Sequence, residues 1–262
     1  MIKIQTLSSG SGGNIIYVGD NTTHILIDVG LPLSQTLKRL QEAHIKPTDI
    51  TAILVTHEHS DHVAGLCDFV LRYGTKIYTT AKAKHILKVR LNLPEDYFIP
   101  VDDMFNIGEI TINIFPVPHD SQFCFGYTFT AAGVSVGLAT DIGKMTPTIL
   151  SHLAGCEIVV LECNHCPNKL HANTKYPPWL KRRIISPHGH LSNTECGHAI
   201  AELHKHSVGQ VILAHLSEQN NSPTLAYTMV KDFLQTQGIT EGKDIFIDVA
   251  PQHQVGNLYC ID

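Results

Sequence analysis

Four side chains of metal-binding type fall within six positions, at His57, His59, Asp61 and His62. The run Thr56-His57-Glu58-His59-Ser60-Asp61-His62 has the pattern H-x-H-x-D-H. Before it stands Thr51-Ala52-Ile53-Leu54-Val55, an apolar, β-branched stretch that predicts a buried strand. The motif therefore begins where a strand ends, and irregular backbone there can turn three imidazoles and a carboxylate toward one point. Such a cluster repels or sits unpaired without an ion, and its nitrogen and oxygen donors suit zinc, manganese or iron. The plain alternative is a polar loop in a chain with 17 histidines. Chance rarely delivers this spacing directly after a core strand.

Other apolar runs end in the same way. Ile112-Asn113-Ile114-Phe115-Pro116-Val117-Pro118 leads to His119-Asp120, and Val134-Ser135-Val136-Gly137-Leu138-Ala139-Thr140 leads to Asp141. Gln210-Val211-Ile212-Leu213-Ala214 leads to His215, and Ile25-Leu26-Ile27 leads to Asp28. Open α/β folds place their sites at such strand ends. One strand-terminal histidine is more often structural than a ligand. Several in one chain change that balance.

The periodicity predicts strands over 1–7 and 14–18, a hairpin around a Gly/Ser loop. Further strands are expected at 23–28, 51–55, 76–79, 110–116, 124–130, 133–139, 157–161, 210–214 and 245–248. Helices are expected at 33–43, with Leu37, Leu40 and Ala43 on one face, and at 62–73, 81–90, 146–152, 192–206 and 223–237. The fold class is α/β (α+β), two sheets with helices outside.

These motifs together resemble the metallo-β-lactamase superfamily. The resemblance spans essentially the whole chain and implies an αβ/βα four-layer sandwich. It implies that His57, His59 and His119 hold one metal, that Asp61, His62 and His215 hold a second, and that Asp141 bridges the two. Asp28 matches the superfamily's early aspartate, which orients the histidine loop. It is also compatible with a turn or cap.

Length and composition fit one domain over residues 1–262. No linker, charge block or low-complexity tract divides the chain. The stretch between Asp141 and His215 has no room for a β-CASP insertion. It shows no clear equivalent of the basic arm or the His–Glu acid pair of the transfer-RNA-processing branch. Only short elements follow His215, against the helical glutathione domain usual in a glyoxalase II. There is no long apolar run and the first residues predict a strand, not a signal peptide. Seven cysteines without framework spacing read as reduced thiols, so a cytoplasmic location is expected. Cys163-Asn164-His165-Cys166 lacks the second pair of a zinc ribbon. A net charge of −5 argues mildly against indiscriminate nucleic-acid binding. Two local runs are basic: Lys181-Arg182-Arg183, and an expected amphipathic helix from Ala81 to Arg90.

Three further motifs narrow the resemblance. Ser8-Ser9-Gly10-Ser11-Gly12-Gly13-Asn14 is on local sequence a flexible turn, and alternatively a phosphate cradle of backbone N–H groups and hydroxyls. Leu161-Glu162-Cys163-Asn164-His165 leaves a strand. Gly189-His190-Leu191-Ser192-Asn193 enters a helix and is echoed by Ala214-His215-Leu216-Ser217. With H-x-H-x-D-H, Ala139-Thr140-Asp141 and the basic triplet, these resemble the YycJ (VicX) group of bacterial metallo-β-lactamase-fold proteins, associated with DNA exonuclease activity. Cys166, where the group often has an acidic residue, and an extra glycine in the first loop depart from that pattern.

The resemblance implies a dinuclear-metal hydrolase, with zinc or manganese favoured over iron. Two ions about 3.5–4 Å apart share a hydroxide that attacks a phosphodiester in line. Asp61, His190 and His165 are the catalytic candidates, either histidine being able to protonate the leaving group. His190 is equally a capping or core histidine on sequence, His165 is a weaker candidate, and Glu162 weaker still. Ser11, Asn14, Lys181, Arg182 and Arg183 are candidate phosphate contacts, although any one basic residue is more simply a solvated surface group. DNA is the expected partner, with no membrane and no obligate protein partner. The alternatives are a small-molecule cyclic phosphodiesterase, a thioester or lactone hydrolase, and a non-catalytic metal-binding scaffold. The mouth is expected around Trp179 and residues 165–180.

Overall fold

Apolar runs build two seven-stranded sheets in the computed structural model, which describes residues 1–262. The first sheet takes β1 (Ile2–Ser8), β2 (Ile15–Gly19), β3 (His24–Ile27), β4 (Ala52–Leu54), β5 (Ile77–Thr79) and β6 (Phe98–Pro100). The second takes β7 (Met104–Ile107), β8 (Ile110–Pro116), β9 (Phe125–Ala131), β10 (Val134–Ala139), β11 (Ile158–Glu162), β12 (Gln210–Ala214) and β13 (Phe246–Val249). The chain then returns to the first sheet with β14 (Leu258–Ile261). The spatial orders are β14-β1-β2-β3-β4-β5-β6 and β13-β12-β11-β10-β9-β8-β7. Both sheets are mixed. β3 to β6 run parallel in one and β10 to β13 in the other, while the remaining neighbours are antiparallel.

The helices are α1 (Leu33–Glu42), α2 (Ser60–Val63), α3 (Leu66–Tyr73), α4 (Ala81–Leu91), α5 (Pro147–Leu153), α6 (Pro167–Ala172), α7 (Pro178–Ile184), α8 (Asn193–His204) and α9 (Pro223–Thr236). Three apolar clusters order them into layers. Ile4, Val18, Ile112, Ile114, Tyr127 and Phe129 belong to the cluster shared by the two sheets. Leu26, Ile53, Leu40, Phe69 and Leu87 join the first sheet's other face to α1, α3 and α4. Val159, Leu213, Ile149, Ile200 and Val230 join the second sheet's other face to α5, α8 and α9. The result is the helix–sheet–sheet–helix sandwich of mixed α/β class. No helix is long and apolar enough to cross a membrane.

The expected elements are present, most within one residue of their expected ends. The single helix expected over 62–73 is instead two. At Gly65 an added Cβ would stand 2.0 Å from the Leu31 carbonyl oxygen, and the Gly65 N–H donates to Val29 O at 2.9 Å. The chain turns there to press against the loop after β3. Strands β6, β7 and β14 and helices α6 and α7 were not expected. α6 and α7 each open on a proline at the first helical position, where its missing N–H costs nothing. The basic face expected of α4 is partly neutralised, because Lys84 and Lys88 both bind Glu95, at 2.7 and 2.9 Å. Cys163 and Cys166 are buried free thiols.

Strand register sets up the site. Ile27 pairs with Leu54, Ala139 with Leu161, and Glu162 with Ala214. The residues just beyond these pairs therefore collect at the carboxyl ends of parallel strands. The sheets are tied at that edge by the buried Tyr127 hydroxyl, which donates to Val55 O at 2.6 Å, immediately before the histidine motif.

Candidate metal centre

His57, His59 and His119 bring ring nitrogens within 4.8 Å of one another, and Asp61, His62 and His215 form a second such group. Asp141 joins His57 and His62 in a third and His215 in a fourth. Two ligands about 2.1 Å from a shared ion stand at most about 4.2 Å apart, so each group is close to convergence. All seven expected ligand residues thus meet in one place.

The geometry beneath them is consistent from ring to ring. His62 Nδ1 donates to Asp28 Oδ2 at 2.6 Å, His119 Nδ1 to the Gly189 carbonyl at 3.1 Å, and His215 Nδ1 to Glu162 Oε1 at 2.9 Å. His57 Nδ1 lies 3.1 Å from Thr56 Oγ1. With these four Nδ1 atoms engaged, the Nε2 atoms of the same rings are left to face the cluster, as second partners fix the tautomer of ligating histidines. The Nε2 atoms of His57 and His215 and Oδ2 of Asp141 are buried with no hydrogen-bond partner. Buried polar atoms are rarely orphaned, and these three, each within a group of ligand-type atoms, fit bound cations.

Backbone conformation points the same way. Asp28, Asp141 and His215 follow strands with φ of 63°, 57° and 55°. The left-handed region costs a non-glycine residue on the order of 1 kcal/mol or more and recurs at functional sites. Asp28 also accepts from the Thr56 N–H and hydroxyl, both at 2.8 Å, so it braces the start of the motif as well as His62. At Gly30 an added Cβ would fall 1.8 Å from Asp61 O, and only glycine lets this loop lie against the motif.

Electrostatics follow from burial and pairing. Burial alone would pull His62 down, but the carboxylates of Asp28, Asp141 and Asp61 outweigh it and hold the imidazole up at about 9. Burial likewise opposes the charge of His215, and Asp141, Asp61 and Glu162 overcome it. His57, faced mainly by other imidazoles, is driven well down by burial and by those neighbours. A cation in the cluster takes the place of these protons.

The site opens into a polar cavity of about 210 Å³. Its wall includes Ser11, His59, Asp61, His119, Asp141 and His190, with Tyr176 just before α7 and Leu180, Arg183 and Ile184 on it. His190 Nδ1 donates to Glu162 Oε1 at 2.8 Å, so its other ring nitrogen is the free one. Arg183 is held by a two-pronged pair with Asp120.

Other expected site residues lie elsewhere. His165 is buried, absent from the cavity wall, and pushed down to about 4 chiefly by burial. Its backbone is a brace, with O accepting from the Asn193 N–H at 2.8 Å. Asn14 also braces: its Oδ1 accepts from the Gly10 N–H at 2.8 Å and its Nδ2 donates to Asp61 O at 3.3 Å. Lys181 donates to His171 O at 2.6 Å and, like Arg182, is off the wall.

Glu162, ranked last on sequence, is the structural centre of this half of the site. Fully buried, it accepts from His190 and His215 and from the N–H groups of Ile142 at 2.7 Å and Leu191 at 3.0 Å. Burial would raise its pKa, and the two imidazoles outweigh that and hold it well down. It ends an apolar run beside Asp141 and His215, which was the available signal. Glu162 and His190 form a hydrogen-bonded His–Glu pair between Asp141 and His215. Asn164, whose Nδ2 donates to His215 O at 2.9 Å, and Asp120 were also missed.

Comparison with known proteins agrees with the architecture. Residues 23–216 match the model of the β-lactamase superfamily domain. The chain belongs to that superfamily. It is 32% identical over 245 residues to the exodeoxyribonuclease YycJ of Bacillus anthracis, covering 92% of both chains. It is equally 32% identical over 241 residues to the exodeoxyribonuclease WalJ of Streptococcus pneumoniae, covering 89% of this chain and 88% of that one. Among solved structures, the metallo-β-lactamase fold protein YhfI of Bacillus subtilis superposes with a TM-score of 0.72 at 15% identity, over 97% of this chain and 98% of that one.

Proposed function

We propose that this chain is a metal-dependent phosphodiesterase that degrades DNA from a strand end. The observation that carries this is a combination in one molecule. A chain 32% identical to a named exodeoxyribonuclease over 92% of its length gathers seven imidazole and carboxylate residues at one cavity that also holds an arginine.

His57, His59 and His119 are suited to one divalent ion and Asp61, His62 and His215 to a second, with Asp141 between them. Zinc is the default for this donor set, manganese a close alternative given its aspartates, and iron less suited. Bound divalent ions supply neutralisation of phosphate charge and acidification of the attacking water. The side chains do the rest. Asp28 and Glu162 hold His62 and His215 in the tautomer that leaves Nε2 free. Asp61, partly open to the cavity, orients the attacking water. Arg183, steadied by Asp120, offers N–H donors to a non-bridging phosphate oxygen, with Ser11 on the same wall. His190, its Nδ1 fixed on Glu162, donates a proton from Nε2 to the leaving oxygen. His165 is neutral and off the wall, so that role goes to His190.

The test is degradation of end-labelled single- and double-stranded DNA by protein stripped of metal and restored with Mn2+ or Zn2+ separately. Stepwise shortening from one end, abolished in Asp141→Ala, is the expected result. Cleavage of bis(p-nitrophenyl) phosphate with DNA untouched would indicate a small-molecule phosphodiesterase instead. Silence on both would leave a thioester or lactone hydrolase or a scaffold.

A further inference from the structure

Charge is distributed unevenly along this acidic chain. Between Glu162 and Glu195 there is no Asp or Glu, while the same stretch carries Lys169, Lys175, Lys181, Arg182 and Arg183. The whole chain has 24 acidic residues against 19 Lys and Arg. This basic stretch includes α6 and α7, and α7 forms part of the cavity wall.

α7 also carries the chain's only tryptophan. Trp179 is 61% exposed. Exposing an indole forgoes one of the largest apolar burials a side chain offers, so an open tryptophan on the helix that lines the site calls for an occupant. Helical spacing locates it. Leu180, Arg183 and Ile184 share the face of α7 toward the cavity. Trp179 stands next to Arg183 around the helix, and Arg182 lies next to Trp179, further from the cavity. Arg182 is exposed and engaged in no ion pair. Arg183 to Trp179 to Arg182 is therefore a path leading out of the site, alternating cation and aromatic ring.

We infer that α7 is a stacking platform for unpaired nucleic acid, on which Trp179 takes a base of the strand being threaded to the cavity while Arg182 and Arg183 hold its phosphates. Every base has a flat π face and every linkage a negative charge, so an indole between two guanidiniums recognises a single strand without reading its sequence. A base inside a duplex already has both faces covered. The platform thus favours single strands or frayed ends. Lys181 takes no part, since it is turned to the His171 carbonyl. This inference rests on the nuclease reading and names the form of substrate that the same site receives.

Because Trp179 is the sole tryptophan, its fluorescence reports on the platform directly. Metal-loaded wild-type protein is titrated with an oligothymidylate whose terminal linkages are phosphorothioates, and separately with a blunt duplex. Saturable quenching by the single strand, and much weaker quenching by the duplex, is expected. In parallel, anisotropy of the labelled oligonucleotide gives Kd for Trp179→Ala and Trp179→Phe. Loss of one stacked base weakens binding about ten- to a hundred-fold in the alanine variant, and phenylalanine restores most of it. Unchanged thermal melting of both variants shows that the exposed position does not act through folding. DNA degraded by the wild type, with Trp179 unquenched and Kd unmoved in Trp179→Ala, overturns the platform and leaves the nuclease reading standing. DNA neither bound nor degraded overturns both. Fluorescence that changes on dilution of the protein alone makes this face a contact between copies and likewise overturns the platform.

Discussion

A single buried carboxylate, Glu162, aims two histidines of the cavity. It receives four hydrogen bonds, two from imidazoles and two from backbone N–H groups. Glutamine keeps the size but loses the charge and one acceptor oxygen, so at least two of those donors must face an amide N–H. Glu162→Gln is expected to weaken metal retention or kcat/KM on DNA about ten- to a hundred-fold, the usual effect of removing a partner behind a ligating histidine. Chelator competition and the end-labelled DNA assay measure it, and a change under about two-fold would remove Glu162 from this role. Residues of this kind are hard to read in a sequence. His57, His59, Asp61 and His62 were legible because their donors are packed into one short run. Glu162 acts through His190 and His215, which only folding brings to it. The reverse holds for His165, which sits in a motif-like setting yet is buried off the cavity wall.

At the scale of elements, short and locally paired features behave differently from strands of the core. Helix α4 is tied to the turn before β6 at Glu95, which binds Lys84 and Lys88. Those two lysines pull Glu95 from 4.5 to about 2. A folded value below the unfolded one stabilises the fold above about pH 4.5, and the contribution is lost as pH falls toward 2. Wild-type protein is therefore expected to lose more stability than Glu95→Gln between about pH 6 and about pH 3 in urea titrations, with the gap closing in high salt. Equal losses would show that the pair is without effect on folding. Core strands such as β8 and β12 were found at their expected ends because their burial writes a β-branched run into the sequence. β6, β7 and β14 are short edge strands of mixed exposure, and the partners of β6 and β14 lie elsewhere in the chain. α6 and α7 are less than two full turns each, too brief for a 3.6-residue period to show, and their prolines read as loop signals.

Across the whole molecule, each sheet contributes part of the site. The first brings Asp28 and the motif from His57 to His62, and the second brings His119, Asp141, Glu162 and His215. Tyr127 and Val55 tie the sheets at that edge, and a cation held from both sides reinforces the tie. Metal bound to the folded state alone stabilises it by about 2.7 kcal/mol at a hundred times its Kd. Chelation is thus expected to lower the Tm by about 5 °C or more, recovered on adding Zn2+ or Mn2+. An unchanged Tm would mean that no ion is bound there under those conditions.

The most direct measurement is the metal content of the purified chain by elemental analysis after exchange into metal-free buffer, with Asp141→Ala alongside. About two divalent ions per wild-type chain, falling to about one or fewer in the variant, is the result expected of two groups of ligands sharing Asp141. A wild-type chain that retains no metal after loading, or an Asp141→Ala chain as full as the wild type, would contradict the account.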